Sequence, residues 1–479
     1  MTEGLIVASN RGPARWARDE EGNRTAKRGF GGLVTALGDA LAEEPGQWVS
    51  VALDDDDIAV ARDHGEQPLT VELAGSPTTV RLLDVGDRFA DYYDVVSNQL
   101  LWFTLHQLWN APYEPTSADW RAPWEGSYLP VNERVGAAVA EAAQGDVDVL
   151  LQDYHLCAAP AVVRRERPEV PLLQYLHTPW VGPELMERLP DAVAHGVLEG
   201  LLAADVVAFS SQRWCERFRE CAESYGLARR DGDTLLVGDR RVRVSPFTLG
   251  VDADGLAASA ASAAVIAAGE RLDALRDGRA MIARAERTDL SKNVLRGLLA
   301  YERLLTDEPG LADRVWHYAN LNPSRQGVPA YRAYLEACQE VADRIRERFG
   351  ERALTLDVGD DYPAVLAALQ RYDVLLTNSV ADGTNLVAKE GPTLNTADGV
   401  LVLSRTTGAV DVLGEAALTV NPFDVAETTA ALRRALAMDA QERRARATAL
   451  REASAQGAPA DWLAAQRRTL REAAATRWS

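Results

Sequence analysis

The residues best equipped for chemistry sit just after short apolar runs. In Glu286-Arg287-Thr288-Asp289-Leu290-Ser291-Lys292-Asn293, two cations five positions apart straddle the start of a helix. Arginine offers a two-pronged donor fork to phosphate oxygens, and lysine a compact charge. A helix N-terminus adds free N–H groups and partial positive charge. A diphosphate leaving group needs that neutralisation; a surface Arg–Asp pair beside a solvated lysine is the plain alternative. A second segment, Ala381-Asp382-Gly383-Thr384-Asn385-Leu386-Val387-Ala388-Lys389-Glu390, also follows an apolar run. Asp382 and Asn385 are good helix N-cap types. Gly383 permits a tight turn and close approach of backbone to a ligand. Leu386 and Glu390 are four apart and share a helix face, where a carboxylate can reach a ribose diol. Gly29-Phe30-Gly31-Gly32 is either an ordinary turn or a cradle that holds an anion on backbone N–H groups.

Ser9-Asn10-Arg11, Tyr93, Trp102 and Arg325 are scattered, and each alone reads as packing or surface. On one ideal α-helix, Tyr93 and Trp102 fall roughly half a turn apart at ~100° per residue. They can share a site only if Tyr93 precedes the helix or the helix bends. Asp54–Asp57 reads as a solvated loop, because its acids are consecutive rather than alternating as in a calcium loop. Cys157, Cys215, Cys221 and Cys338 form no C-x-x-C pair and read as buried or half-buried thiols in a reducing compartment.

The elements that must position these groups alternate between strand and helix. Leu5–Ser9, Trp48–Leu53, Val147–Gln152, Pro171–Leu176 and Asp205–Ser210 read as strands in the first half. Ala280–Ala285, Arg314–Asn320, Ala353–Val358, Asp373–Asn378 and Gly399–Leu403 repeat the plan in the second, with a long amphipathic helix at Ala330–Phe349. Runs apolar on both faces and separated by helices imply parallel sheets covered on both sides. The expected fold is α/β, with two doubly wound, Rossmann-like domains facing a central cleft: 1–248 and 249–458, with a helical tail, 459–479, packing back on the first. Ala257–Gly269 reads as an exposed helix just past the crossing at Leu249–Asp252. In open α/β sheets ligands sit at the carboxyl ends of strands. Asn10, Asp153, His177, Arg287 and Asp382 all fall at such ends.

A formal net charge of -20 argues against a nucleic-acid or anionic-membrane surface, while leaving room for a few cations around a phosphate. The N-terminus carries no basic start and no long apolar run, and no stretch approaches the ~18 apolar residues of a membrane span. The expectation is a cytoplasmic enzyme. The sequence leaves a homo-oligomer open.

Taken together and in order, these segments resemble the trehalose-6-phosphate synthases over nearly the whole chain. The resemblance rests on Ser9-Asn10-Arg11, Gly31-Gly32, Tyr93 with Ser97-Asn98 and Trp102, Asp153-Tyr154-His155-Leu156 and Leu176-His177-Thr178-Pro179. It continues through Arg287-x-Asp289-x-Ser291-Lys292, Ser324-Arg325, Asp382-Gly383-x-Asn385-Leu386-Val387-Ala388-Lys389-Glu390 and Asn421-Pro422. It implies a GT-B glycosyltransferase that needs no metal or other cofactor and retains anomeric configuration. Its partners would be a nucleotide-sugar donor and glucose 6-phosphate. Arg287 and Lys292 would hold the donor diphosphate, with backbone at Gly31–Gly32, Gly383, Asn385 and Leu386 assisting. Glu390 would take the ribose hydroxyls, and His177 and Asp382 the donor glucose. Arg11, Tyr93, Trp102 and Arg325 would form the acceptor site, and Asp153 would orient the acceptor sugar.

Four positions depart from the common pattern: Ala381 for Arg, Thr384 for Met, Asn293 for Gly, and Gly391-Pro392 where a helix normally continues. Pro392 should bend or shorten that helix. Several of these features also resemble the pseudo-glycosyltransferases of the validoxylamine A 7'-phosphate synthase kind, which join a GDP-activated cyclitol to an amino-cyclitol phosphate through a C–N bond. That branch points to guanine in the donor, so the expected donor is GDP-glucose, with UDP-glucose the alternative. The C–N coupler and a non-catalytic sugar-phosphate sensor are the competing functions. Asn10 and Lys389 follow the synthase pattern.

Overall fold

The computed structural model describes residues 4–18, 24–28, 37–38, 41, 46–73, 76–112, 114 and 120–478. The chain divides into two compact units, Met1–Thr248 with Pro459–Ser479, and Leu249–Ala458.

The first unit contains β1 (Gly4–Ser9), β2 (Ala14–Arg18), β3 (Arg24–Arg28), β4 (Gly46–Val51), β5 (Leu69–Leu73), β6 (Ser76–Leu83), β7 (Val147–Gln152), β8 (Leu172–Leu176), β9 (Val206–Phe209), β10 (Arg229–Asp231), β11 (Thr234–Val237) and β12 (Arg240–Pro246). Ten of these form one sheet in the order β10-β11-β12-β9-β8-β7-β1-β4-β6-β5, while β2 and β3 make a separate hairpin. Neighbours from β12 to β6 run parallel, and only the two margins are antiparallel. Every residue of β1, β7 and β8 is buried, as expected of strands covered on both faces. β1 pairs with β4 on one side and β7 on the other. The strand order reverses there, so the carboxyl ends of β1 and β7 form a switch point.

The tail helix Pro459–Ala475 belongs to this unit. Trp462 donates its indole N–H to the Phe247 carbonyl at 3.3 Å and sets its ring edge on Tyr175. Arg467 and Arg471 both reach the fully buried Asp148 carboxylate, at 2.8 and 2.9 Å. Arg477 donates to the equally buried Asp205, which Arg164 also meets at 2.9 Å. Buried carboxylates require such partners, since an unpaired buried charge is strongly destabilising.

Asp54–Asp57 is not a solvated loop. Asp54 caps the helix Asp55–Asp63 by accepting from the Asp56 and Asp57 N–H groups, and Asp57 is buried and accepts from Leu53. Acids suit a helix N-terminus because they satisfy its free donors and oppose its partial positive charge.

The second unit contains β13 (Ala280–Arg287), β14 (Val315–Asn322), β15 (Leu354–Val358), β16 (Val374–Thr377), β17 (Val400–Ser404) and β18 (Leu418–Val420). They form an all-parallel sheet in the order β15-β14-β13-β16-β17-β18. Alternate residues feed opposite cores: Ile282, Val374, Leu376, Val400 and Val402 on one face, and Met281, Ala283, Leu375, Leu401 and Leu403 on the other. The order reverses between β13 and β16, which places a second switch point at their carboxyl ends. Ala257–Gly269 is not one exposed helix. Two helices, Ala253–Ala260 and Ala263–Arg276, cover it, and the second buries Val265, Ala268 and Leu272 on the core.

Candidate active site

Two loops meet at the switch point of the second unit. After β13 the chain makes a short turn, Leu290–Lys292, capped by Asp289, whose carboxylate accepts the Ser291 N–H at 3.0 Å. Asn293 then adopts the left-handed conformation, φ 58°, before the helix Val294–Asp307. Its side-chain amide donates to the carbonyls of Asn378 and Pro422 at 2.8 and 2.7 Å. A left-handed position explains the glycine usual here, and asparagine is the side chain best able to replace it.

After β16 the backbone bends through Asp382, whose N–H donates to Thr406 at 3.3 Å and whose carbonyl accepts from Gly408 at 3.0 Å. Gly383 is buried in that bend. Asn385, also left-handed at φ 65°, accepts the Ala388 N–H at 3.1 Å and donates to the Ser379 hydroxyl at 3.2 Å. It is thus the side-chain cap of the helix Val387–Leu394, with Leu386 at the helix start.

These loops bring the Lys292 ammonium into an ion pair with the Asp382 carboxylate; their side chains are 16% and 12% exposed. Arg287, half exposed at the end of β13, donates to the Ser324 hydroxyl at 3.4 Å and lies 3.9 Å from Asp289. Arg325 is nearly buried, left-handed in its backbone, and donates to Asp289 and the Tyr331 hydroxyl at 2.7 Å each. Glu390 is half-buried, and burial pushes its carboxyl up to about 7. The neighbouring Lys389 is fully buried, donates to the Leu249 carbonyl at 2.7 Å, and is pushed down by burial to about 8.

Pro392 lies inside its helix, which ends two residues further on at Leu394; Asn395 still donates to Gly391 at 2.9 Å. Gly391 faces β16 so closely that a Cβ would stand 2.3 Å from a Leu375 methyl. A glycine there lets the helix seat on the sheet. Beneath the Lys292 loop lies a buried group that the motifs did not reveal. Arg284 pairs with Glu286 at 2.8 Å, donates to the Lys292 carbonyl at 3.1 Å, and meets Asn378. Burial raises the Glu286 carboxyl, against the opposing pull of Arg284. A lone arginine inside the apolar run of β13 was its only trace in the sequence.

The first unit gathers the other residues. Asp153 leaves β7 at φ 72°, a backbone region costly for a side-chain-bearing residue, and its carboxylate accepts the His177 N–H at 3.3 Å. His177 follows β8, and its Nε2 lies 3.0 Å from the Gln152 amide oxygen; burial lowers the imidazole to about 4, so it is neutral near pH 7. Asn10 is buried and accepts from Tyr92 at 2.9 Å, while Arg11 beside it is exposed.

Tyr93 and Trp102 converge for a reason absent from the sequence. Asp91–Leu101 is a π-helix, and the Trp102 N–H donates to the Ser97 carbonyl, five residues back. With roughly 4.4 residues per turn, nine positions span about two full turns of such a helix, so both residues face one side. Tyr93 stacks on His155 at 5.7 Å, Trp102 lies 5.5 Å from Tyr154, and those two rings touch at 4.0 Å. The pair immediately follows Asp153. Gly31 and Gly32 lie outside the described residues. Among the described residues, no cluster of three or more His, Cys, Asp or Glu could hold a metal ion, and all four cysteines are buried and free. No helix among them is long and apolar enough to cross a membrane.

The chain matches the model of glycosyltransferase family 20 over residues 3–472. It is 29% identical over 438 residues to validamine 7-phosphate valienyltransferase of Streptomyces hygroscopicus subsp. jinggangensis, covering 90% of this chain and 87% of that one. It is 31% identical over 472 residues to trehalose-6-phosphate synthase of Mycobacterium sp. (strain KMS), covering 93% and 91%. The fold is similar to a crystal structure of an α,α-trehalose-phosphate synthase (UDP-forming) from Burkholderia vietnamiensis, with a TM-score of 0.83, 26% identity and 99% of each chain covered. The class so defined is an α/β enzyme of the GT-B type that transfers glycosyl groups. The chain belongs to glycosyltransferase family 20.

Proposed function

We propose that this enzyme transfers glucose from a nucleoside diphosphate glucose to glucose 6-phosphate with retention, giving α,α-trehalose 6-phosphate and the free nucleoside diphosphate. The observation that carries the reading is the pairing of Lys292 with Asp382 at the β13–β16 switch point, with Arg287 at the same strand end. On donor binding the Lys292 ammonium exchanges a carboxylate for a phosphate oxygen, and Asp382 becomes available to sugar hydroxyls. Arg287 supplies the second cation, backbone groups of Gly31, Gly32, Asn385 and Leu386 assist, and Glu390 accepts the ribose diol. Neutral His177 hydrogen-bonds a donor hydroxyl without adding charge. Arg11, Tyr93 and Arg325 hold the acceptor phosphate, Trp102 lines its sugar, and Asp153 orients it.

In the step itself, the donor C1–O bond to the diphosphate breaks and its electron pair goes to the leaving phosphate. The acceptor anomeric oxygen forms the new C1–O bond on the same face, and its proton passes to the departing phosphate oxygen. Catalysis comes from stabilising that charge and orienting two sugars. The two side-chain cations do this without a metal ion. The donor in this proposal is GDP-glucose, with UDP-glucose the alternative.

The second reading, C–N coupling of a GDP-cyclitol to an amino-cyclitol phosphate, is favoured by the valienyltransferase relative at 29% identity. Nucleotide release separates them. The enzyme is mixed with glucose 6-phosphate and, in turn, GDP-, UDP- or ADP-glucose. Release that depends on the acceptor supports the synthase. Release from none of them overturns it and favours the C–N reading.

A further inference from the structure

The synthase reading assigns Arg287 to the donor and Arg325 to the acceptor, yet one buried carboxylate holds both. Asp289 is fully buried. Its Oδ1 accepts the Ser291 N–H at 3.0 Å, which fixes the turn carrying Lys292. Its Oδ2 accepts from Arg325 Nη1 at 2.7 Å and from the Tyr331 hydroxyl at 3.3 Å, and lies 3.9 Å from Arg287 Nη2. Tyr331 is itself buried, donates no space to solvent, and carries the Arg325 guanidinium 5.6 Å over its ring. Arg325 thus meets the same two side chains through both its charge and its plane, while its own backbone sits at φ 46°. A left-handed arginine persists only where its surroundings over-determine it.

We infer that Asp289 is a positioning residue that ties the acceptor-phosphate arginine, Arg325, to the donor loop through one shared carboxylate. The inference rests on the synthase reading of the two cations. Its consequence runs against simple charge counting. A negative group beside two phosphate-binding cations lowers the local positive potential, so removing it should tighten anion binding if charge alone mattered. If Asp289 instead holds the guanidinium groups in place, removing its charge loosens binding although the site becomes more positive.

The test is calorimetric titration of the full-length enzyme with glucose 6-phosphate and, separately, with GDP and UDP. The variants are Asp289→Asn, Arg325→Ala and the double variant. Asparagine keeps the oxygen that caps Ser291 and loses the charge. The expected result is glucose 6-phosphate binding weakened by about tenfold or more in Asp289→Asn, as for loss of a charge-assisted bond. In the Arg325→Ala background, Asp289→Asn weakens glucose 6-phosphate no further, but still weakens the nucleotide through Arg287. Tighter binding of either anion by Asp289→Asn, or effects on glucose 6-phosphate that multiply in the double variant, overturns the inference. Should Asp289→Asn not fold, Tyr331→Phe reads the same relation: a several-fold loss for glucose 6-phosphate alone supports it, and no loss overturns it. Failure of the wild type to bind either ligand removes the synthase reading itself, whereas binding of both with the wrong variant pattern removes only the inference.

Discussion

Replacing Lys292 with alanine removes the ammonium that meets Asp382. Both side chains are mostly covered, and the Asp382 carboxylate would be left with the Ser379 hydroxyl at 3.5 Å. The stability lost should therefore fall below the roughly 3–5 kcal/mol typical of breaking a fully buried pair, because some solvent reaches the site. The catalytic loss is separate. Removing one preorganised positive donor from a departing diphosphate lowers turnover by about a hundredfold or more, equivalent to roughly 2.7 kcal/mol of transition-state stabilisation. The two effects come apart in the double variant Lys292→Ala/Asp382→Asn, where no orphaned charge remains. Denaturant unfolding should show stability largely recovered, and nucleoside diphosphate release at saturating glucose 6-phosphate should stay low. A folded Lys292→Ala enzyme with near-normal turnover refutes the reasoning. So does a double variant whose activity returns along with its stability.

Glu390 titrates near 7 because it is buried, so its folded value stands above its unfolded one of 4.5. Burial of the ionised form opposes folding as pH rises through that window, and the penalty is absent below it. Glu390→Gln should raise the thermal midpoint at pH 8 and leave it unchanged near pH 4. If Glu390 accepts a ribose diol, nucleotide affinity in the wild type should also improve from pH 6 to pH 8 in titrations, and that slope should vanish in Glu390→Gln. Asn293→Gly keeps the left-handed backbone but loses two amide bonds, whereas Asn293→Ala loses both and strains the backbone. Alanine should cost about 1 kcal/mol more than glycine in denaturant unfolding. In the proposed mechanism side-chain cations neutralise the leaving group, so chelation with excess EDTA should leave the turnover rate unchanged; a loss restored by added Mg²⁺ contradicts this.

Polar residues at the ends of apolar strands were the most legible feature of the chain. Arg287 at the end of β13, Asp382 beyond β16, Asp153 beyond β7 and His177 beyond β8 stand where a parallel sheet would put ligand contacts. The cores are equally readable, because β1, β7 and β8 are apolar on both faces. The margins are not. β10 is three residues long, Arg-rich and largely exposed, so it shows no apolar run; β12 alternates over Arg241–Val244, with Val242 and Val244 buried, but only for four residues and between arginines. The π-helix from Asp91 to Leu101 has no sequence period of its own, and without it Tyr93 and Trp102 fall on opposite sides. Arg325 and Asp289 lie 36 residues apart, and only packing of the loop after β14 against that after β13 reveals their bond. Long-range pairs of this kind are set by topology rather than by local pattern. Of the departures from the family pattern, Asn293 and Gly391 have a physical explanation. Nothing in the structure explains Ala381 or Thr384.

The identity of the product tests the central claim most directly. The wild-type enzyme is incubated with glucose 6-phosphate and GDP-glucose or UDP-glucose, and the product's anomeric protons are assigned by NMR alongside the nucleotide released. The expected result is one disaccharide phosphate, α at both anomeric centres, formed in equal amount with the nucleoside diphosphate. Release of free glucose without a disaccharide, or coupling only when an amino-cyclitol phosphate replaces glucose 6-phosphate, contradicts it.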